Sequence, residues 1–299
     1  MVIVLVLQIL FVTLLSCMVG LFLIGLSRKM TARIHWRYGP PLSQPFIDIV
    51  KWFSQTAVSH GKLFDAGMIF SLTGSVVVVL FLPFGGICPL RGSGGLLVIL
   101  YLMLIAPLGI ALSAGEAANP YASIGVSRKL QLAFGYELSL LMILLSLMTY
   151  YRTVSIVDIV EAQIQSGWSL VQLPLVVSGL AYLLIMPAIM GIRPFEMIQA
   201  PQEISSGPMA EYGGKFLAFA TLQHALNIYI GLSLFVNLFL GGGSNAGYFL
   251  IKLLLAFMVF QVIHAVWPRF RIEQAVRCLW RWPALLAFIG LIIVWVTTS

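Results

Sequence analysis

The chain carries eight continuous apolar runs of helix-spanning length, and few architectures are open to such a sequence. The runs fall at about residues 2–27, 68–85, 96–114, 131–150, 170–191, 216–240, 247–267 and 283–298. Each approaches the roughly 17–25 residues that cross the hydrocarbon of a bilayer. Lipid offers no hydrogen bonds, so a crossing segment must pair its own backbone groups. A barrel strand would alternate apolar and polar residues; these runs do not, so the spans are helices. Only 9% of the 299 residues are charged and 60% are hydrophobic, against about 25% charged in a soluble domain. The expected fold is all-α and integral to a membrane: one membrane domain over residues 1–299, a bundle of about eight transmembrane helices. The first run has no basic leader and is too long for a signal-peptide core, so it reads as a retained span.

The basic residues orient the bundle. The first loop holds Arg28, Lys29, Arg33, Arg37, Lys51 and Lys62. The third holds Arg128 and Lys129, the fifth Arg193 and Lys215, and the seventh Arg269, Arg271, Arg277 and Arg281. The even loops hold only Arg91 and Arg152, and Lys252 lies within a span, near its outer end, where it is expected to snorkel. Basic loops stay inside, so the odd loops are expected to be cytoplasmic and both termini outside, in the cell membrane. The net charge of +7 therefore gathers on one face, which suits an anionic leaflet or a docked partner. Nucleic acid is a poor partner for charge divided among short turns.

The first loop is about forty residues long and contains a further helical pattern. Pro45 suits a helix first turn. Phe46, Ile47, Ile49, Val50, Trp52 and Phe53 are apolar, while Asp48, Lys51 and Gln55 form a polar stripe. The pattern predicts an amphipathic interfacial helix, a surface anchor or a roof over an internal cavity, with Asp48 and Lys51 pairing across one turn.

Several chemistries are excluded. Cys17, Cys88 and Cys278 are far apart and form no CxxC spacing, and the four histidines form no metal motif. No glycine-rich nucleotide loop occurs. The chain is expected to bring no redox cofactor or metal of its own. What remains are acids in unusual places. Glu137 lies about 10 Å along the fourth span, where an isolated carboxylate is costly and reads as either a packing residue or a protonatable relay. Glu116 ends the third span. Glu196, Glu203 and Glu211 punctuate a fifth loop rich in Pro and Gly, and suit proton access or a docking surface as well as a solvated loop. His224 and His264 read as packed polar residues.

Longer motifs add a resemblance. Arg37-Tyr38-Gly39-Pro40, followed by Gln44-Pro45, Asp48 and Lys51, resembles the first cytoplasmic loop of the complex I membrane subunit called NADH dehydrogenase subunit 1. Pro194-Phe195-Glu196, Gln202-Glu203 and Glu211-Tyr212 resemble that family's acidic loop, and Pro268-Arg269-Phe270-Arg271 with Gln274 and Arg277 its last cytoplasmic loop. Asn119-Pro120-Tyr121 with Ile124-Gly125, Ser127 and Arg128, and Gly207-Pro208, look more like the relatives in membrane-bound hydrogenases, formate hydrogenlyase and a sulfane sulfur reductase. One departure stands out. The resembled family commonly has Glu-Ala-Glu where this chain has Gln199-Ala200-Pro201.

The resemblance implies a membrane anchor and coupling subunit of a ferredoxin-oxidising, ion-translocating complex. Iron–sulfur clusters, and a nickel–iron site in some relatives, would sit in partner subunits. Those partners would be an iron–sulfur subunit and a hydrogenase-like large subunit on the cytoplasmic face, with antiporter-like subunits in the membrane. Glu116, Glu137, Glu196, Glu203 and Glu211 would act as relay or coupling acids. Arg28, Arg33, Arg37, Asp48, Lys51, Arg128, Arg193 and Arg269 would dock partners or balance charge. A quinone-reducing subunit with Trp36, Arg37 and Tyr38 lining its site is the alternative. A stand-alone transporter fits less well, because no inverted repeat is visible.

Overall fold

The computed structural model describes residues 2–91, 95–117 and 119–298, apart from the side chains of Val2, Pro201 and Gln202. Among these residues lie thirteen α-helices. They are α1 (Val2–Ile34), α2 (Gln44–Ser54), α3 (Lys62–Phe81), α4 (Leu96–Met103), α5 (Ile105–Glu116), α6 (Pro120–Tyr151) and α7 (Ile156–Ser166). They continue as α8 (Leu173–Met190), α9 (Pro201–Ile204), α10 (Gly214–Phe239), α11 (Ala246–Val266), α12 (Ile272–Arg281) and α13 (Pro283–Thr298). Eight helical stretches are long and apolar enough to cross a membrane: α1, α3, α4 with α5, α6, α8, α10, α11, and α12 with α13.

The expected spans are all present, but several edges move for identifiable reasons. The third span breaks at Leu104 between α4 and α5, because the Pro107 ring clashes with the carbonyl four residues before it, that of Met103. The fourth begins at Pro120 rather than 131. Asn119 caps α6, its Oδ1 accepting the Tyr121 N–H at 2.9 Å, and Pro120 fills the first turn. At 1.5 Å per residue α6 is about 48 Å long, well beyond a hydrocarbon core of about 30 Å, so its basic end projects past the apolar layer. The last span is preceded by α12, whose polar face (Glu273, Gln274, Arg277, Arg281) opposes buried Ala275 and Leu279. The expected seventh loop is thus largely helical.

α10 is the hub. Its span is the most buried of the eight, and it packs on α1, α2, α3 and α8. Tyr182 on α8, fully buried, donates to the Gly231 carbonyl of α10 at 3.0 Å. α3 and α5 approach through small residues. A Cβ on Gly67 would come within 2.6 Å of the Ser113 backbone nitrogen, and the Ser71 hydroxyl donates to the Ala106 carbonyl at 2.9 Å. Such small-residue contacts replace hydrophobic drive where lipid is the solvent.

α2 lies across α1 and α10 and roofs one end of the bundle. Pro45 and Ile49 are buried beneath it, while Ile47, Val50 and Phe53 face outward. The expected Asp48–Lys51 pair does not form. Asp48 accepts instead from Arg28 of α1 at 3.1 Å and from Gln44 at 2.8 Å, because α2 packs with Asp48 toward α1 and Lys51 toward the outside. Lys252 does not simply snorkel either. Its Nζ donates to the carbonyls of Leu240 (2.6 Å) and Gly242 (2.8 Å), satisfying the chain just beyond the carboxyl end of α10.

Candidate functional site

Beneath α2 the basic end of the bundle encloses two adjoining cavities. The outer one, about 350 Å³, is bounded by α1, α2, α10, α11 and the loop that follows α8. Arg28, Trp52, Glu196, Gln199, His224 and His264 give it its chemistry. The inner one is smaller, about 50 Å³, and reaches Lys129 of α6 and Gln223 of α10. The two share a wall made by Gly191, Glu196, Gln199, Met209 and His224.

Glu196 is the only acid among the described residues that line either cavity. One of its oxygens accepts from Arg193 Nε at 3.2 Å and from Arg269 Nη2 at 3.1 Å. The Arg193 backbone N–H in turn donates to His264 Nδ1 at 3.1 Å. The loop after α8 holds this arrangement: α8 ends in left-handed Gly191, and Phe195 packs edge-on against Phe270 of the seventh loop. Glu196 is thereby fixed by two cations from different loops, with its carboxylate on the cavity wall.

The other acids lie elsewhere. Glu116 accepts from the Phe64 backbone N–H and so stabilises the positive end of α3. Glu211 accepts from Asn119 Nδ2 and pairs with His60 Nε2 at 3.2 Å. The His60 ring packs against Phe64, so these two acids border one aromatic cluster completed by Tyr212 and Phe216. Burial pushes the Tyr212 phenol up. Glu203 pairs with Arg128 at 2.6 Å on the surface. Glu137 stands apart, half-buried on α6, and makes no hydrogen bond or ion pair among the described residues. The five expected acids therefore occupy four places rather than one line.

The expected docking residues divide as well. Arg28–Asp48 and Arg193–Glu196–Arg269 brace the cavity, whereas Arg33, Arg37 and Lys51 are exposed. Arg33 sits over the Tyr38 ring at 5.0 Å, and Trp36 and Tyr38 project outward at 98% and 84% exposure. Trp36, Arg37 and Tyr38 thus form a surface knob and line neither cavity, contrary to the alternative expectation that they shape a quinone site.

Lys129 and Gln223 are cavity residues that sequence reasoning does not single out as site residues, whereas Gln199 is already marked there as a departure. A signal for Lys129 exists. Ala122, Val126, Leu132, Ala133, Tyr136 and Leu140 trace the buried stripe of α6, and Lys129 falls in register with it. Gln199 stands at a position where the resembled family carries an acid, so here the cavity wall has an amide instead.

A family model described as NADH dehydrogenase matches residues 6–295. The chain belongs to that family. Within the NADH dehydrogenase family it is 33% identical over 226 residues to hydrogenase-4 component C of Escherichia coli K12, covering 73% of this chain and 70% of that one. It is 29% identical over 289 residues to formate hydrogenlyase subunit 4 of the same organism, covering 90% and 92%. A subunit of the F(420)H(2) dehydrogenase of Methanosarcina mazei is 26% identical over 296 residues, covering 88% of this chain and 84% of that one. Among solved structures, a chain of the membrane-bound sulfane sulfur reductase, an archaeal respiratory membrane complex, superposes with a TM-score of 0.93 at 36% identity, covering 97% of this chain and 99% of that one. These relatives are components of multisubunit redox enzymes, and this chain is a multi-pass membrane-anchor subunit of the same complex I-like kind.

Proposed function

We propose that this NADH dehydrogenase family member anchors and couples a ferredoxin-oxidising, ion-translocating complex of the sulfane sulfur reductase or hydrogenase type. The likeness that carries the reading is the 36% identity and 0.93 TM-score to the sulfane reductase chain over nearly the whole length of both. Iron–sulfur clusters, and nickel–iron in the hydrogenase case, belong to partner subunits seated on the basic face. The exposed knob of Trp36, Arg37 and Tyr38, with Arg33 and Lys51, supplies charge and aromatic surface for that docking. Antiporter-like subunits complete the membrane arm. The basic face is cytoplasmic, both termini are outside, and the membrane is the cell membrane.

In this reading the chain breaks no bonds. Electron arrival in the docked arm changes the charge facing the cavity. Glu196, held between Arg193 and Arg269, lies in a partly desolvated wall where such a field is strongly felt. A shift of either arginine toward the new charge would redistribute the Glu196 contacts and carry the signal into α8 and the seventh loop.

Turnover of the assembled complex in quinone-free membranes tests the proposal. Reduced ferredoxin should drive either sulfide release from a sulfane donor or hydrogen evolution, with an ion gradient in sealed vesicles. Turnover that requires added quinone, with none from ferredoxin to either acceptor, overturns it and leaves the quinone-reducing alternative.

A further inference from the structure

We infer that the inner cavity between α6, α10 and the loop after α8 binds a small inorganic anion of halide size. Lys129 carries the argument. Its residue is 8% exposed, it lines the cavity, and it makes no ion pair or hydrogen bond among the described residues. Gln223 on the facing helix is 4% exposed, and its Nε2 is a buried donor with no partner among the described residues. Two unmatched donors thus border one enclosed space. Buried donors are otherwise almost always matched, and an exception marks a missing ligand or water.

Charge decides between water and an anion. Near this wall stand Lys129, Arg193 and Arg269 against the single carboxylate of Glu196. The arginines stay protonated, so loss of the Lys129 proton would still leave an excess cation. It would also leave the Gln223 donor unmatched. Arg269 Nε is itself buried without a partner among the described residues. Gln199, on the wall shared by the two cavities, presents an uncharged amide and adds no counter-charge. His224, which also lines the cavity, adds no negative charge in any protonation state. Water satisfies donors but does not neutralise them, whereas one anion does both.

Size narrows the ligand. A water needs about 10–15 Å³ of such space, so a cavity of about 50 Å³ takes a few water-sized bodies and excludes an organic headgroup or a nucleotide. A halide fits, with the amine on one side and the amide N–H on the other.

Crystals of the assembled complex grown in bromide test the site directly, without any electron donor and so independently of the redox reading. An anomalous peak is expected within hydrogen-bond reach of Lys129 Nζ and Gln223 Nε2. Chloride-36 binding to the detergent-solubilised complex should weaken by at least about tenfold in Lys129→Met, the loss of one charge-assisted hydrogen bond. Gln223→Leu should weaken it by a smaller factor, and it serves where the lysine variant fails to assemble. An empty cavity in wild-type crystals whose surface bromide sites are filled overturns the inference. So does binding unchanged in both variants.

Discussion

The two ends of the bundle treat buried polar groups in opposite ways. At the end away from the basic face, each group of Gln163 is matched. Its Nε2 donates to the carbonyls of Asn237 (2.9 Å) and Leu238 (3.1 Å), and its Oε1 accepts from the N–H groups of Ser169 (3.2 Å) and Gly241 (2.9 Å). Asn237 Nδ2 donates to the Pro83 carbonyl at 3.1 Å, and Lys252 satisfies Leu240 and Gly242. At the basic end Lys129 and Gln223 keep donors unmatched around a cavity, and Arg269, which holds Glu196 through Nη2, leaves its buried Nε unmatched. A closed network rigidifies and an open one is available to a ligand or a moving charge. One end is a buckle, and the other holds the candidate site.

Breaking the buckle should have the largest effect on stability and little on chemistry. Gln163→Leu strands two carbonyls and two N–H groups in a buried position, which costs about 3 kcal/mol or more. The assembled complex should unfold at lower temperature and accumulate to lower levels, yet turn over normally per assembled complex; a loss of turnover without loss of stability would contradict the division. Glu196→Gln sharpens the other side of the comparison. It keeps the shape of the cavity wall but removes the one charge shared by Arg193 and Arg269. Coupled turnover should fall at least about tenfold, roughly 1.4 kcal/mol at the barrier, with assembly intact by size-exclusion chromatography. Wild-type turnover in an assembled complex would remove Glu196 from the coupling role.

The same contrast governs what the sequence reveals. Lipid-facing helices announce themselves by length and hydropathy, so all eight spans are legible, and so is α2 from its stripe and Pro45. Their ends are less so, because a cap such as Asn119 and the projecting basic turns of α6 lie outside the apolar run. The loop acids are legible as unusual residues but not as a constellation. Nothing in the sequence places the amino end of α3 against Glu116, and Glu196 is distinguished from Glu203 only by which arginines fold back onto it. The cavity wall depends on helix rotation: Lys129 reads as a loop cation beside Arg128 unless the buried stripe is extended through it. The Gln163 buckle is invisible in the sequence because all its partners are backbone groups, most of them from a distant turn.

Two smaller perturbations separate anchoring from signalling. Lys252→Met removes the donor to Leu240 and Gly242 and the cation beside the Trp168 ring at 5.2 Å. The side chain is only half-buried and water can replace part of its contacts, so the loss should be about 1 kcal/mol. The thermal midpoint of the complex should fall slightly with turnover unchanged, since this end lies away from the cavity proposed to carry coupling.

Arg37→Ala should do least to the chain itself, because the Arg37 side chain is exposed and makes no hydrogen bond or ion pair among the described residues. Its effect belongs to the partner. A rim charge contributes mainly to encounter rate and is screened by salt. The redox subunits should therefore remain bound at low salt and detach at lower salt than in the wild type when the complex is washed through a gradient. An unchanged release point would mean that the knob of Trp36 and Tyr38 faces solvent or lipid rather than the docked arm. The site would then communicate with its partner only through α2 and the cavity beneath it.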